Sequence, residues 1–277
     1  MSVAVVFDSA GTLLHTYRVA KNVLLNKLET GIETTLLPSS CEEWTLILLY
    51  AESRDIINAP PKQLLSTFLV ENNIRYGVAC ASRVVPSGRV GDILYNDKSA
   101  RISDLQDCIK NVWSCCKKEP VVAMNNGVMV NHTLGSIEYV ITSGGKPFLG
   151  AKSTVRKLHE MGVATYIASG DSTEKLIKMA DYLGIPHDNV HGVSTPSIKA
   201  QVVEDLKKEY DIIVMVGDGI NDIKAMKKAD IAILTEQQSD KKPRALRDSA
   251  DYIIKNVTEV VDIVKETCMT REISDTI

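Results

Sequence analysis

The sequence predicts an α/β protein: a doubly wound, three-layer parallel sheet with an α+β domain inserted near its start. Three observations predict it. Residues 2–7 (SVAVVF) form an unbroken apolar run, as expected of a parallel strand buried on both faces. From residue 151 onward, helical periodicity alternates with short apolar runs, the pattern of right-handed strand–helix–strand crossovers. Between residues 18 and 143 that alternation gives way to mixed strand and helix signals. The expected division is residues 1–17 with 144–277 as the core domain and 18–143 as the inserted cap.

Taken in order, the first strand ends in Asp8-Ser9-Ala10-Gly11-Thr12, where Gly11 permits a tight turn. In the insertion, Leu24, Leu25 and Leu28 have helix spacing over 22–30. Ser40 can cap a helix carrying Trp44, Ile47, Leu48 and Ala51, with Glu42 and Glu43 in its first turn. Pro60-Pro61 opens a helix with Leu64, Leu65, Phe68 and Leu69. Residues 76–85 and 90–95 read as strands joined through Pro86-Ser87-Gly88, and 103–116 as a helix. Residues 121–124, 128–131 and 136–142 read as strands, with Asn126-Gly127 a hairpin signal. Residues 143–147 (SGGKP) read as the hinge that closes the insertion.

Beyond the hinge the expected helices are 151–161, 172–183, 197–209, 222–228 and 257–267. The expected strands are 163–168, 190–193, 212–216, 231–234 and 252–254. Residues 237–248, containing Lys241-Lys242-Pro243-Arg244, read as a polar loop.

Four features then fall on the carboxyl edge of one parallel sheet, where open α/β sheets place ligands. Asp8 follows the first strand and can attack phosphorus as a carboxylate nucleophile. Ser169 and the N–H of Gly170, near a helix start, can hold phosphoryl oxygens. Lys199, in the first turn of a helix, can neutralise phosphoryl charge. Asp218 and Asp222, four apart after the run Val214-Met215-Val216-Gly217, form a carboxylate pair suited to Mg²⁺. Each has an ordinary reading too: Asp8 and Ser169 as helix caps, Lys199 as a solvated side chain. Their order and their placement at strand ends make phosphoryl transfer the stronger reading.

That order resembles the haloacid dehalogenase-like superfamily, whose core is Rossmann-like and whose inserted domain is a cap. Asp8-Ser9-Ala10-Gly11-Thr12 looks like its first motif, DxxGT. Ser169, Lys199 and Gly217-Asp218-Gly219-Ile220-Asn221-Asp222 look like the second, third and fourth. Pro196-Ser197-Ile198-Lys199 and GDGINDIKAMKKADIAI (217–233) look most like the phosphorylation domain of P-type ATPases. The resemblance covers residues 1–17 and 146–256. It implies an aspartyl-phosphate on Asp8 and Mg²⁺ held by Asp8, Asp218 and the Ala10 carbonyl. It places Asp222 and Asn221 in support, Asn221 on the phosphate side.

The departure is Ala10, where family phosphatases carry a second Asp that serves as general acid and base, a role worth about 10²–10⁴-fold in rate. The expected enzyme is therefore slow on simple esters. P-type ATPases carry Thr at that position. Phosphonoacetaldehyde hydrolases carry Ala there and use a cap lysine, for which Lys62 is the nearest candidate. His15 or Tyr17 could also supply the proton. The alternatives are a C–P bond hydrolase of that kind, or a phosphate-binding regulatory protein that kept the fold and lost turnover.

Composition narrows the partners. The chain has 277 residues, 44% of them hydrophobic, and a net charge of −3. That balance makes no electrostatic case for nucleic acid or an anionic membrane. No apolar run approaches the ~18 residues of a bilayer span, so a transporting pump is not expected. The six cysteines form no C-x-x-C pair, and reduced thiols in a cytoplasmic protein are expected. The expected partners are a small phosphorylated metabolite or nucleotide, with ATP left open, and a second copy of the chain as a homodimer.

Overall fold

A computed structural model describes residues 1–32, 43–82, 85–116, 123–239 and 241–274. It divides into two compact units, residues 1–16 with 145–277, and residues 17–144. The chain passes between them within two strands, β2 (Leu14–Asn22) and β7 (Ser136–Pro147).

The first unit is built on a six-stranded sheet. Its strands are β1 (Val3–Phe7), β8 (Ala164–Ala168), β9 (Val190–His191), β10 (Ile212–Gly217), β11 (Ile231–Thr235) and β12 (Tyr252–Ile254), in the order β12-β11-β10-β1-β8-β9. Every pairing is parallel. All five residues of β1 and all six of β10 are buried, because helices cover both faces. On one face Ala4, Val6, Ile213 and Met215 pack with Val203 and Leu206 of α7 (Pro196–Leu206) and Met226 of α8 (Ile223–Met226). The helices α5 (Ala151–Glu160), α6 (Thr173–Leu183), α9 (Arg244–Arg247) and α10 (Glu259–Ser274) complete the unit. The parallel α/β sheet expected from the apolar runs is present, strand for strand. Within the expected polar loop at 237–248 the described residues hold the single turn α9.

The second unit holds a six-stranded sheet in the order β3-β2-β7-β6-β4-β5. Here the sequence reading needs correction in several places. Residues 22–30 are not helical. Lys27–Thr30 forms β3, antiparallel to β2, and Leu24 and Leu25 lie exposed in the connecting turn, where Asn26 adopts φ 50° and the Asn22 side chain accepts from the Leu25 N–H. Residues Trp44–Leu49 are a strand, β4, between β5 (Tyr76–Ala81) and β6 (Ala123–Asn131). Ile47 and Leu49 join the larger core, while Trp44 and Leu46 pack on a second cluster around Ala20, Met129 and Ile141. With both faces apolar, the period-2 alternation that marks a half-buried strand is erased. Ser40 and Glu42 lie outside the described residues.

Residues 90–95 belong to a helix, α3 (Ser87–Asn96), in which Val90 and Leu94 are buried four apart. Asn126-Gly127 sits mid-strand in β6. Gly127 is required there because a Cβ would lie 2.5 Å from the Ile47 carbonyl oxygen of β4. Residues 143–147 continue β7 rather than forming a loop. The remaining helices, α1 (Ser53–Asn58), α2 (Leu65–Glu71) and α4 (Ile102–Cys115), contribute Ile56, Leu65, Phe68, Leu105 and Ile109 to the larger core. The five described cysteines form no disulfide with one another.

Candidate active site

Asp8 is the first residue past β1, and its N–H donates to the Val216 carbonyl of β10 (2.9 Å), extending the ladder one step. The chain then reverses: the Ser9 carbonyl accepts from Thr12, Leu13 and Leu14 N–H groups. Gly11 makes the turn possible in two ways. Its φ is +79°, and an ideal Cβ there would sit 2.1 Å from Asp218 Oδ2. The glycine therefore admits the Asp218 carboxylate from β10 into the turn that follows β1.

Asp218 follows β10, and a single 3-10 turn (Ile220–Asp222) brings Asp222 back beneath it. Asp222 Oδ2 accepts from the N–H groups of Asp218 (3.2 Å) and Gly219 (3.1 Å). Its Oδ1 accepts from Lys199 Nζ at 2.7 Å. Lys199 lies in the first turn of α7, where the Thr195 side chain caps the helix by accepting from the Ile198 N–H. The same Nζ donates to Asp8 Oδ1, so one fully buried ammonium ties two carboxylates from different strands. One oxygen each of Asp8, Asp218 and Asp222 lie within 4.8 Å of one another.

The electrostatics follow from this crowding. Burial holds the Asp8 carboxyl well above the usual carboxylate range. The Asp222 charge adds to that rise, and the Lys199 ammonium opposes it. Asp218 is also raised by burial, against the pull of Lys242. For Lys199 burial works downward, but Asp8 and Asp222 outweigh it and keep the amine protonated. The arrangement can hold a cation among three carboxylates and present a carboxylate nucleophile from a water-poor floor.

Ser169 is buried one residue past β8. The β1–β8 register, Phe7 opposite Ile167, sets it at the same sheet edge as Asp8. Its hydroxyl pairs with Asp171 at 3.3 Å. Gly170 is exposed, with only the Ser194 carbonyl near where a Cβ would stand. Asn221 is also exposed, beside Gly219. Ala10 is partly buried in the turn. Asp8, Lys199, Asp218 and Asp222 are thus in one cluster, whereas Ser169, Gly170 and Asn221 flank it at the same edge. His15 packs edge-to-face on Phe148, and Lys62 is exposed in the second unit.

Two groups escaped the sequence reading. Lys242 Nζ donates to the Asp218 carboxylate (2.8 Å) and carbonyl (2.6 Å). The loop after a parallel strand returns along the ligand-bearing edge, and that was the available signal. Thr12 Oγ1 is buried and makes no hydrogen bond, an acceptor and donor directly after the Asp218-contacting glycine. Among the described residues no helix is long and apolar enough to cross a membrane.

Comparison with known proteins identifies a family. The family model "haloacid dehalogenase-like hydrolase" matches residues 3–230. A soluble P-type ATPase-like phosphatase of Methanocaldococcus jannaschii is 30% identical over 267 residues, which are 96% of this chain and 94% of that one. A copper-transporting ATPase of Helicobacter pylori is 27% identical over 242 residues, 85% of this chain but only 30% of the transporter. The solved catalytic domain of the CPx-ATPase CopB-B aligns with 95% of this chain and 88% of its own, at 14% identity and a TM-score of 0.47.

Proposed function

The chain is a phosphatase-type hydrolase belonging to the haloacid dehalogenase-like family, and on that premise we propose that it is a Mg²⁺-dependent phosphohydrolase or phosphotransferase working through a covalent phosphate on Asp8. The observation that carries the reading is the convergence of Asp8, Asp218 and Asp222, with oxygens within 4.8 Å, under the shared Lys199 ammonium. The donor set is all oxygen and mostly anionic, which suits Mg²⁺ and not a soft metal. Asp8, Asp218 and the Ala10 carbonyl would hold the ion, and Asp222 would brace the cluster. A bound Mg²⁺ would screen the nucleophile from an anionic substrate and neutralise charge developing on phosphorus.

Lys199 holds Asp8 through Oδ1 and keeps the carboxylate aimed. Asp8 attacks phosphorus, a bond forms from its oxygen to phosphorus, and the leaving group departs with the bonding pair. Gly170, Ser169 and Asn221, at the rim of the cluster, are the groups proposed to hold the phosphoryl oxygens. Water, or another acceptor, then takes the phosphoryl group and restores Asp8. Ala10 has no proton to give, so the leaving group must be stable as an anion. Acyl phosphates and phosphoanhydrides of small metabolites or nucleotides are the preferred substrates. A phosphate-ester and anhydride screen with Mg²⁺ tests this: wild type turns over and Asp8→Asn does not. Equal rates in the two proteins would end the proposal.

Ala10 also favours a second reading, a protein that binds phosphate without turnover. Intact-mass measurement after incubation with acetyl phosphate separates the two, since only the enzyme carries phosphate on Asp8.

A further inference from the structure

Lys242, like Lys21 in the second unit, is a lysine outside the catalytic cluster whose side chain is largely enclosed and paired. It lies between β11 and β12, and its side chain is only 8% exposed. Its Nζ donates to Asp218 Oδ2 at 2.8 Å and to the Asp218 carbonyl at 2.6 Å, so it is seated on one residue twice over. Described residues on both sides of it anchor the loop that delivers it. Gln238 both accepts from the Thr16 N–H and donates to the Thr16 carbonyl, each at 2.9 Å. Gln237 accepts from the Val257 N–H at 2.8 Å, and Pro243 leads into α9, whose Leu246 is buried. An exposed ion pair is a loose association of two flexible side chains. This one is a placed contact.

The charges around it are unevenly shared. Lys199 serves Asp8 and Asp222, while Lys242 serves Asp218 alone. Asp218 is the carboxylate packed against the open face of Gly11, with its Oδ2 2.1 Å from where a Cβ would stand. One carboxylate therefore already carries a cation at the position where the proposed site needs it for another.

We propose that Lys242 is a built-in antagonist of divalent-metal binding: its ammonium neutralises Asp218 in the metal-free protein, and metal entry must displace it and loosen the loop that presents it. This rests on the metal-site reading given above. The competing role, in which Lys242 orients Asp218 for the metal, makes the opposite prediction, because a ligand that loses its positioning group binds more weakly.

The test is isothermal titration of Mg²⁺ and Mn²⁺ into the EDTA-treated full chain, comparing wild type, Lys242→Met, Lys242→Gln and Lys242→Arg. The neutral variants should bind the metal at least about tenfold more tightly, the effect of removing a unit charge beside a divalent ion even in a strongly screened site. Lys242→Arg should bind like wild type. Hydrogen exchange supplies a second readout: Mg²⁺ should speed exchange over residues 237–247 and at the Thr16 amide in wild type, and change little in Lys242→Met. Equal or weaker affinity in both neutral variants overturns the inference while leaving the metal site standing. No binding in any protein overturns the metal site itself, and the inference with it.

Discussion

Replacing Gly11 with alanine isolates the one contact on which the cluster's geometry turns. Gly11 has φ +79°, and Gly162, just past α5, has φ +73° with nothing within 4 Å of an added Cβ. Gly162→Ala therefore measures backbone strain alone, about 1–2 kcal/mol for an L-residue held in the left-handed region. Gly11→Ala pays that strain and also drives a methyl to 2.1 Å from Asp218 Oδ2, so the carboxylate must move by about an ångström. The shift pulls Asp218 from Lys242, a charged hydrogen bond worth about 1.5–3 kcal/mol. The expected destabilisation is roughly 2.5–5 kcal/mol at Gly11 against about 1–2 at Gly162. Urea midpoints in EDTA measure both, and Mg²⁺ titration should show affinity lost only in Gly11→Ala. Two variants of equal stability, with Gly11→Ala still binding Mg²⁺ like wild type, would refute the claim that this glycine admits Asp218 to the site.

Two further outcomes are expected. Ala10→Asp places a carboxyl two residues past Asp8 and should raise monoester hydrolysis, by up to about 10²-fold as a share of what general acid–base help supplies; the gain should be largest for poor leaving groups in a p-nitrophenyl versus alkyl phosphate comparison, and a uniform gain would point away from proton transfer. Burial raises Asp8, so the folded metal-free protein keeps this proton to higher pH than the unfolded chain does. The stability it contributes is fully present below the unfolded value near 3.8 and is lost as pH climbs through the folded one. Asp8→Asn should flatten that part of the stability–pH curve, measured by denaturant midpoints in EDTA, and an unchanged slope would mean that Asp8 does not titrate as its burial requires.

Much of the first unit was legible because a parallel sheet covered on both faces leaves a local record. β1, β8, β10 and β11 each appear as short apolar runs, and the residue just past each one necessarily lands at the same edge. Asp8, Ser169 and Asp218 could be aligned on that basis before any coordinates. The second unit kept no such record. Trp44–Leu49 is apolar on both faces because two different clusters cover it, and an apolar hexapeptide without alternation reads as easily as helix. Val90 and Leu94 show the converse, since a segment with the β-formers Val90, Ile93 and Tyr95 became helical and buries residues four apart.

The chain by itself determined which chemistry is present at the sheet's carboxyl edge: carboxylates at 8, 218 and 222 and an amine at 199, each set by its own strand or helix start. Tertiary structure alone decided how they share charge. Lys199 spans 191 positions to reach Asp8, Gly11 yields its Cβ space to a residue of another strand, and Lys242 finds Asp218 across 24 positions. Strand ends are a local property and can be read from composition. Which ammonium faces which carboxylate depends on a packing that only the completed fold creates.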